Sequence, residues 1–309
     1  MKIVNLKKPN DDYPLSDCGL MLGNFDGVHR GHRALIDELK RLNKKRSPRL
    51  PLGAFCFLQH PAHYFGTPLP LLCDNDEKVE LLRKAGLQFV IFCDFEELKD
   101  LSPEEFVANV LIRDCKCRIA VCGFNYTFGK KAAGKAEDLA RWLGTQPGRE
   151  VSIVPSVTDG RHVVSSSVIR NMLESGHPED ATRLLGRPYS LSGKVAGGKQ
   201  KGRELSAPTA NLHFPEGRLI PAHGVYAVTV KLGRRTYFGI SNVGTRPTFD
   251  DGEQVTCETF LFDFHGDLYR QKIEVSFLHF LRSERRFNSE EALSAQIQKD
   301  IAKAKEYFS

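Results

Sequence analysis

The sequence predicts an α/β protein with a doubly wound parallel sheet, followed by a small antiparallel β-barrel domain with a C-terminal helix. In the first part of the chain, short apolar runs alternate with segments of helical periodicity. Helical spacing disappears after Arg187, and short β-rich runs replace it. The predicted domains are therefore residues 1–187 and 188–309, and a chain of 309 residues is long enough to give each its own core.

The predicted strands of the first domain are short apolar runs, at residues 20–22, 52–58, 89–92, 119–122 and 151–154. Helices are expected between them, and two begin with clear N-terminal signals. Asp74 and Glu77 resemble a capping box. Ser102 is followed by a proline and two acids. Alternation of this kind implies a parallel sheet that binds its ligands at the carboxyl ends of the strands.

The second domain is predicted to contain four strands, at residues 224–232, 235–243, 255–262 and 273–281. Gly233-Arg234 and His265-Gly266 are interpreted as the tips of hairpins. A final helix is expected to begin at the cap residue Ser289. Its apolar face would carry Leu293, Ile297, Ile301 and Phe308.

Composition restricts the class of protein. No apolar run approaches the length of a membrane span, and the first residues lack the apolar core of a signal peptide, so we expect a cytoplasmic protein. The eight cysteines are scattered, as is typical of small buried apolar residues in a reducing compartment. A formal net charge of +6 suits nucleotides and nucleic acids alike and does not choose between them.

The segment GNFDGVHRGH, residues 23–32, lies between the first predicted strand of the sheet and a helix. Its three glycines allow a sharp turn and close approach of a ligand to the backbone. The helix that follows offers unpaired N–H groups and the positive end of its dipole to an anion. His29 and His32 lie at that opening and can donate hydrogen bonds to phosphate oxygens. A plain strand-to-helix turn with surface histidines is the alternative, but two histidines flanking a glycine favour nucleotide binding.

Two further segments follow strands at the same edge of the sheet. Residues 123–129 contain Asn125, and residues 165–170 open a helix with three serines and Arg170. Serines at a helix start are more often only a cap. An arginine in the first turn opposes the helix dipole, however, and so indicates a bound anion such as pyrophosphate.

The second domain contains a loop rich in glycine and cations at residues 197–203, which a solvated turn would also explain. Thr209 and Asn211 follow, two residues apart on an extended segment, and both carry oxygen donors suited to Mg²⁺ on ATP. Glu258 lies in an otherwise apolar strand. It is interpreted either as a barrel-edge residue that faces water or as a general base that faces a cleft.

The His29-Arg30-Gly31-His32 motif, together with residues 165–170, resembles the H-x-G-H nucleotidylyltransferase superfamily. The longer pattern is similar to the bacterial bifunctional riboflavin kinase/FAD synthetase family, whose first domain is an FMN adenylyltransferase. In the first domain it includes residues 23–32, 123–129 and 185–189. In the second it includes residues 202–205, 208–211, 224–226, 242–248 and 281–284.

The resemblance implies roles for individual residues. His29, His32 and Arg170 would stabilise the reacting phosphates, and Glu258 would accept the proton of the riboflavin 5′-hydroxyl. Thr209 and Asn211 would coordinate Mg²⁺, the expected metal cofactor. The residues expected to bind the nucleotide are Gly23, Phe25, Asp26, Gly31, Asn125, Ser166, Ser167, Gly198, Gly202 and Arg203. His60, Pro61, Arg282 and Glu284 are expected at the flavin.

The predicted activity is therefore two consecutive reactions, riboflavin to FMN and FMN to FAD, each using ATP. The expected partners are ATP, riboflavin and FMN, with neither nucleic acid nor membrane; the oligomeric state is not predicted. Two alternatives stay open. Only one half could be active, or the fold could serve as a flavin- or RNA-binding regulator, although the strands lack the interleaved aromatic and basic residues of RNA readers.

Overall fold

A computed structural model describes residues 1–6, 16–67, 69–196, 209–247 and 253–309. The chain forms two compact units, residues 1–166 and residues 167–309. Within the described ranges, no helix is both long enough and apolar enough to cross a membrane.

The first unit is a six-stranded parallel sheet with helices between its strands. The strands are β1 (Lys2–Asn5), β2 (Cys18–Leu22), β3 (Leu52–Phe57), β4 (Phe89–Cys93), β5 (Cys117–Gly123) and β8 (Glu150–Val154), and a small hairpin joins β6 (Thr127–Phe128) to β7 (Gly134–Lys135). The helices are α1 (Arg30–Asn43), α2 (Pro61–Tyr64), α3 (Asn75–Lys84), α4 (Phe95–Leu98), α5 (Pro103–Glu105), which continues as a π-helix (Phe106–Asp114), and α6 (Ala136–Leu143).

The strand order in this sheet is β1-β4-β3-β2-β5-β8, and every pairing is parallel. The chain runs outwards from β2 through β3 and β4, then crosses back to place β5 on the other side of β2. The order therefore reverses at β2 and β5, and sheets of this kind bind ligands outside the carboxyl ends of the strands at such a point. The predicted doubly wound sheet is confirmed.

Both faces of the sheet are buried under helices. Alternate residues of β2 belong to different core clusters: Leu20 and Leu22 to one, Met21 to the other. All eight cysteines of the chain are buried thiols, as predicted. The short edge strand β1 is absent from the prediction because only Val4 of its four residues is buried, which leaves no periodic apolar signal.

The second unit contains a curled antiparallel sheet of six strands. Helix α7 (Ser166–Glu174) starts at the end of the first unit, and α8 (Pro178–Leu185) follows. The strands are β9 (Tyr189–Lys194), β10 (Thr209–His213), β11 (Gly224–Leu232), β12 (Arg235–Pro247), β13 (Glu253–Leu261) and β14 (Lys272–Ser283), and α9 (Glu290–Phe308) ends the chain. Their order is β10-β13-β12-β11-β14-β9. A bridge between Ala196, just beyond β9, and Asn211 of β10 brings the two edges together, as expected of a small barrel.

Two details of the predicted second domain are wrong. His265-Gly266 is not a hairpin tip, because β13 and β14, on either side of it, are not neighbours in the sheet. Leu293 is 41% exposed and lies outside the apolar face of α9. That face instead packs Ile297, Ile301 and Phe308 against a cluster that includes Val225 and Ile240.

Helix α8 lies against β9 and β14 of the second unit. The division between the compact units thus falls at residues 166 and 167, before the predicted join at Arg187. The buried residues of α8 include Ala181, Leu184 and Leu185, whose apolar spacing shows that the helix is amphipathic but not which sheet it covers.

We expect a fragment of residues 167–309 to be more stable than a fragment of residues 188–309. The shorter fragment lacks α8 and so exposes the surfaces of β9 and β14 that this helix covers. Loss of even one buried leucine side chain costs about 2 kcal/mol, so the free energy of unfolding should differ by at least that amount. Urea unfolding followed by far-ultraviolet circular dichroism measures the difference. Equal stabilities would show that α8 is not part of the second folding unit.

Candidate active sites

The first candidate site is the turn between β2 and α1. The backbone takes the left-handed conformation at Phe25 (φ 52°), Gly27 (φ 79°) and Val28 (φ 41°). Such values are uncommon for residues with a Cβ and rarer still for a β-branched one, and they cluster at functional sites. Phe25 and Val28 are both buried, so packing holds this conformation in place. The turn ends at His29, and α1 begins at Arg30.

His29 is the N-cap of α1. Its Nδ1 accepts a hydrogen bond from the backbone N–H of His32 at 3.3 Å, so in the neutral ring the proton is on Nε2, which can donate to an anion. The His29 and His32 rings are stacked with their centroids 3.5 Å apart. A Cβ on Gly31 would lie 3.0 Å from Cε1 of His29. Gly31 therefore makes room for the His29 ring.

Burial, followed by the neighbouring His29 and the charge of Lys78, holds the pKa of His32 well below its usual value of 6.5. Its ring packs edge-on against Phe25. Within the described part of the chain, Nδ1 of His32 is buried and has no hydrogen-bond partner. His32 is therefore a neutral ring at pH 7, which carries one N–H donor and no full charge.

We expect the first unit to lose stability as the pH falls below 6.5, because the unfolded chain then binds a proton that half-buried His32 resists in the folded state. His29 and Lys78 are the groups whose charge opposes this protonation. The free energy of unfolding should depend less steeply on pH in the His32→Asn variant, because the asparagine side chain does not titrate. Urea unfolding at several pH values, followed by the fluorescence of Trp142, which packs against the core of the first unit, measures this dependence. Parallel slopes for both proteins would contradict the buried neutral ring.

Asp26 joins the turn to two distant segments. Its Oδ1 accepts hydrogen bonds from the backbone N–H groups of Leu72 (2.9 Å) and Cys73 (3.2 Å), and its carbonyl accepts one from Oγ of Ser166 (3.0 Å). The carboxylate is buried. Asp26 therefore fixes the shape of the site, and Ser166 reaches the turn directly.

The other predicted residues of the first site lie on α7, in the turn after β5 and on α2. Ser166 begins α7 and Ser167 follows it; Arg170, one turn further on, is 5% exposed. Asn125 lies in the exposed turn after β5, the strand beside β2. His60 caps the short helix α2, its Nδ1 accepting the N–H of Ala62 at 3.2 Å, and Pro61 is the first residue of that helix.

A cleft of about 300 Å³ opens beside the turn, at the carboxyl end of β3. Its polar lining includes Asn24, Asp26, His60, His63, Asn75 and Lys78. Phe57 and Leu58 contribute apolar walls. A cleft with an apolar wall and a few polar groups is the usual form of a small-molecule site.

The second candidate site is a row of polar side chains across three strands. Asn211 on β10 lies opposite Glu258 on β13, which in turn lies opposite Asn242 on β12. Directly opposed residues project from the same face, about 5 Å apart. Thr209 shares this face because it is two residues from Asn211. The row continues into Val225, part of the apolar cluster beneath α9.

Arg282 and Glu284 lie at the end of β14. The Arg282 guanidinium forms a bidentate ion pair with Asp300 of α9, its Nη2 2.8 Å from Oδ2 of that carboxylate, which is almost fully buried. Arg282 therefore attaches the last helix to the sheet. Glu284 approaches the backbone at Gly244, where an added Cβ would lie 2.2 Å from its Oε1.

Three predicted nucleotide-binding residues, Gly198, Gly202 and Arg203, lie outside the described residues. Sequence reasoning also missed residues. Lys78 is buried on the same side of α3 as Leu82, four positions later, and a lysine at a core position of an amphipathic helix is the signal that could have identified it. The sequence contains no local pattern that identifies Asn242 or Asp300, because the residues they face, Glu258 and Arg282, lie on other elements.

The fold and the motif define the class: the first unit is a nucleotidylyltransferase-type α/β domain, followed by an antiparallel half-barrel with a terminal helix. The FAD synthetase family profile matches residues 12–168, and the riboflavin kinase profile matches residues 185–308. The bifunctional riboflavin kinase/FMN adenylyltransferase of Listeria monocytogenes is 34% identical to this chain. The match covers 100% of this chain and 98% of the Listeria protein. The protein of that name from Escherichia coli K12 shows the same identity and coverage.

This chain belongs to the bifunctional riboflavin kinase/FMN adenylyltransferase family. A crystal structure from Streptococcus pneumoniae has a TM-score of 0.86 to this chain at 31% identity, with 99% of both chains covered. It is named as a macrolide-efflux protein. The predicted family and the predicted fold class are both confirmed.

Proposed function

We propose that this chain carries out both reactions of its family: residues 188–309 phosphorylate riboflavin to FMN, and residues 1–187 adenylylate FMN to FAD. The observation that carries the proposal is the presence of two separate polar constellations, one in each compact unit. One is the His29–His32 turn with Ser166, and the other is the row that contains Asn211 and Glu258. ATP, riboflavin and FMN are the partners, and we place the enzyme in the cytoplasm.

In the kinase reaction, the riboflavin 5′-hydroxyl attacks the γ-phosphorus of ATP. The bond from that phosphorus to the β,γ-bridging oxygen breaks, and ADP leaves. A hydroxyl is a weak nucleophile, so the reaction benefits from a base that accepts its proton. Glu258 is half-buried beside the apolar cluster under α9 and lies opposite two amide side chains. We assign it the role of this base.

The residues around Glu258 also suit a Mg²⁺ ion bound with ATP. Oδ1 of Asn211 is buried and, among the described residues, accepts no hydrogen bond. Thr209 places a hydroxyl on the same face, and Mg²⁺ prefers such oxygen donors together with phosphate oxygens. We propose that Thr209 and Asn211 hold the ion. When bound, Mg²⁺ neutralises phosphate charge.

In the adenylyl transfer, an oxygen of the FMN phosphate attacks the α-phosphorus of ATP. The bond to the α,β-bridging oxygen breaks, and pyrophosphate leaves. The attacking phosphate is already ionised, so alignment and charge stabilisation supply most of the rate without a base. We assign the stabilisation of this charge to Nε2–H of His29 and to the cation of Arg170.

Incubation of the full-length protein with riboflavin and Mg-ATP, followed by chromatographic separation of the flavins, tests the proposal. We expect FMN first and FAD after it, with one ADP and then one pyrophosphate released. Accumulation of FMN alone would show that only the kinase half is active. Conversion of supplied FMN but not of riboflavin would show the reverse, and binding without turnover would identify a regulator.

A further inference from the structure

Lys78 is a nearly buried cation in the wall of the cleft beside the His29–His32 turn. Its side chain belongs to α3, and the residue is only 8% exposed. The ammonium nitrogen lies 3.2 Å from Oδ1 of Asn75 and 6.0 Å from the centre of the Phe92 ring. An ammonium group has three N–H donors, and among the described residues this one has a single, neutral hydrogen-bond acceptor, Oδ1 of Asn75.

No carboxylate of the described residues forms an ion pair with Lys78. The two acids of the cleft have other roles: Asp26 accepts the N–H groups of Leu72 and Cys73, and Asp74 caps α3 by accepting the N–H of Glu77 at 2.7 Å. The positive charge of Lys78 is therefore not neutralised by a cleft carboxylate.

A charge removed from water without a counter-charge is expensive. Leucine or methionine at this position of the apolar face of α3 would avoid that cost. Lys78 lines the cleft, so an anionic ligand placed there would supply the missing counter-charge and accept its remaining hydrogen bonds.

We propose that Lys78 binds a phosphate group of the substrate in this cleft. The inference rests on the proposed adenylyl transfer, in which phosphate groups have two sources: the phosphate monoester of FMN and the triphosphate of ATP. The positive charge of Lys78 is close enough to His32 to oppose protonation of its ring. A phosphate bound to Lys78 would therefore also lie near the two histidines.

The test compares Lys78→Met with the wild type in the conversion of supplied FMN to FAD. Removal of a charge-assisted hydrogen bond should lower kcat/KM by about ten- to a hundredfold. A rise in KM for FMN with KM for ATP unchanged assigns the contact to the monoester, and the opposite pattern assigns it to the triphosphate. Lys78→Arg, which keeps the charge, should restore part of the loss.

Lys84→Met is the matched control, because Lys84 lies on the same helix with a 61% exposed side chain and, within the described part of the chain, forms an ion pair with Glu80 alone. Its kinetics should equal those of the wild type. Riboflavin phosphorylation and Trp142 fluorescence show whether each variant is folded. If Lys78→Met misfolds, Lys78→Gln takes its place, because glutamine keeps a polar group beside Asn75.

Less than a twofold change in kcat/KM for both substrates in a folded variant would overturn the role of Lys78. Absence of FAD synthesis in the wild type would instead overturn the proposed function.

Discussion

Glu258→Gln should abolish the formation of FMN from riboflavin and leave the formation of FAD from supplied FMN intact. Glutamine preserves the size of the side chain and its place opposite Asn211 and Asn242, but it cannot accept the proton of the 5′-hydroxyl. A positioned general base contributes about 10²- to 10⁴-fold to a rate. We therefore expect a loss of kinase kcat of at least a hundredfold with little change in KM for ATP, measured by chromatography of the flavin products.

Glu274→Gln is the matched control for this experiment. Glu274 is also a half-buried carboxylate in the same sheet, but it lies on β14 opposite Ser192 and Lys231, away from the polar row. It should retain full kinase activity. If Glu258→Gln is folded and phosphorylates riboflavin normally, another group accepts the proton and Glu258 is only a barrel residue.

His29→Ala and Arg170→Ala should each make the enzyme stop at FMN. Each substitution removes a donor to the charge that develops on the phosphates of ATP, and loss of one such donor costs about a hundredfold or more in rate. Phosphorylation of riboflavin takes place in the other half of the chain and should continue. The measurement is the ratio of FAD to FMN after incubation with riboflavin and Mg-ATP.

His29 also caps α1, so an alanine substitution removes both a cap and a donor. His29→Asn separates the two effects, since asparagine is a good N-cap but lacks the imidazole N–H. If the role of His29 is chemical, both variants lose FAD synthesis. Recovery of FAD synthesis by the asparagine variant would reduce His29 to a cap. Arg33→Gln, an exposed change on the same helix, should have no effect.

Much of the first domain could be predicted because its signals are local. The capping box at Asp74 and Glu77 and the cap at Ser102 lie within four residues of sequence, and the structure contains both. The glycines and histidines of the turn after β2 are equally local. Parallel strands then bring their carboxyl ends to one edge without further information, so the positions of Asn125 and His60 follow from the order of the strands.

The remaining features depend on which surfaces meet, and periodicity does not determine this. The spacing of Leu184 and Leu185 identifies a helix but not the sheet that it covers, so the predicted first domain includes α8 although this helix lies against β9 and β14. Arg282 is predicted to lie at the flavin, but its ion pair with Asp300 could not be predicted, because Asp300 lies 18 residues away on another element. Lys78 could be recognised as a candidate site residue only because a lysine is unusual among the apolar residues on the buried face of α3.

The hydrogen bonds of Asp26 have a consequence for the order of folding. They join the turn to residues 46 and 47 positions later through the side chain, and to Ser166, 140 positions later, through the carbonyl. Closure of such long loops is entropically unfavourable and slow. During synthesis, the turn emerges from the ribosome before residue 166, and it must wait for that residue before its last hydrogen bond can form. The proposed adenylylation site is thus encoded at residues 23–32 but completed only after residue 166 has been translated.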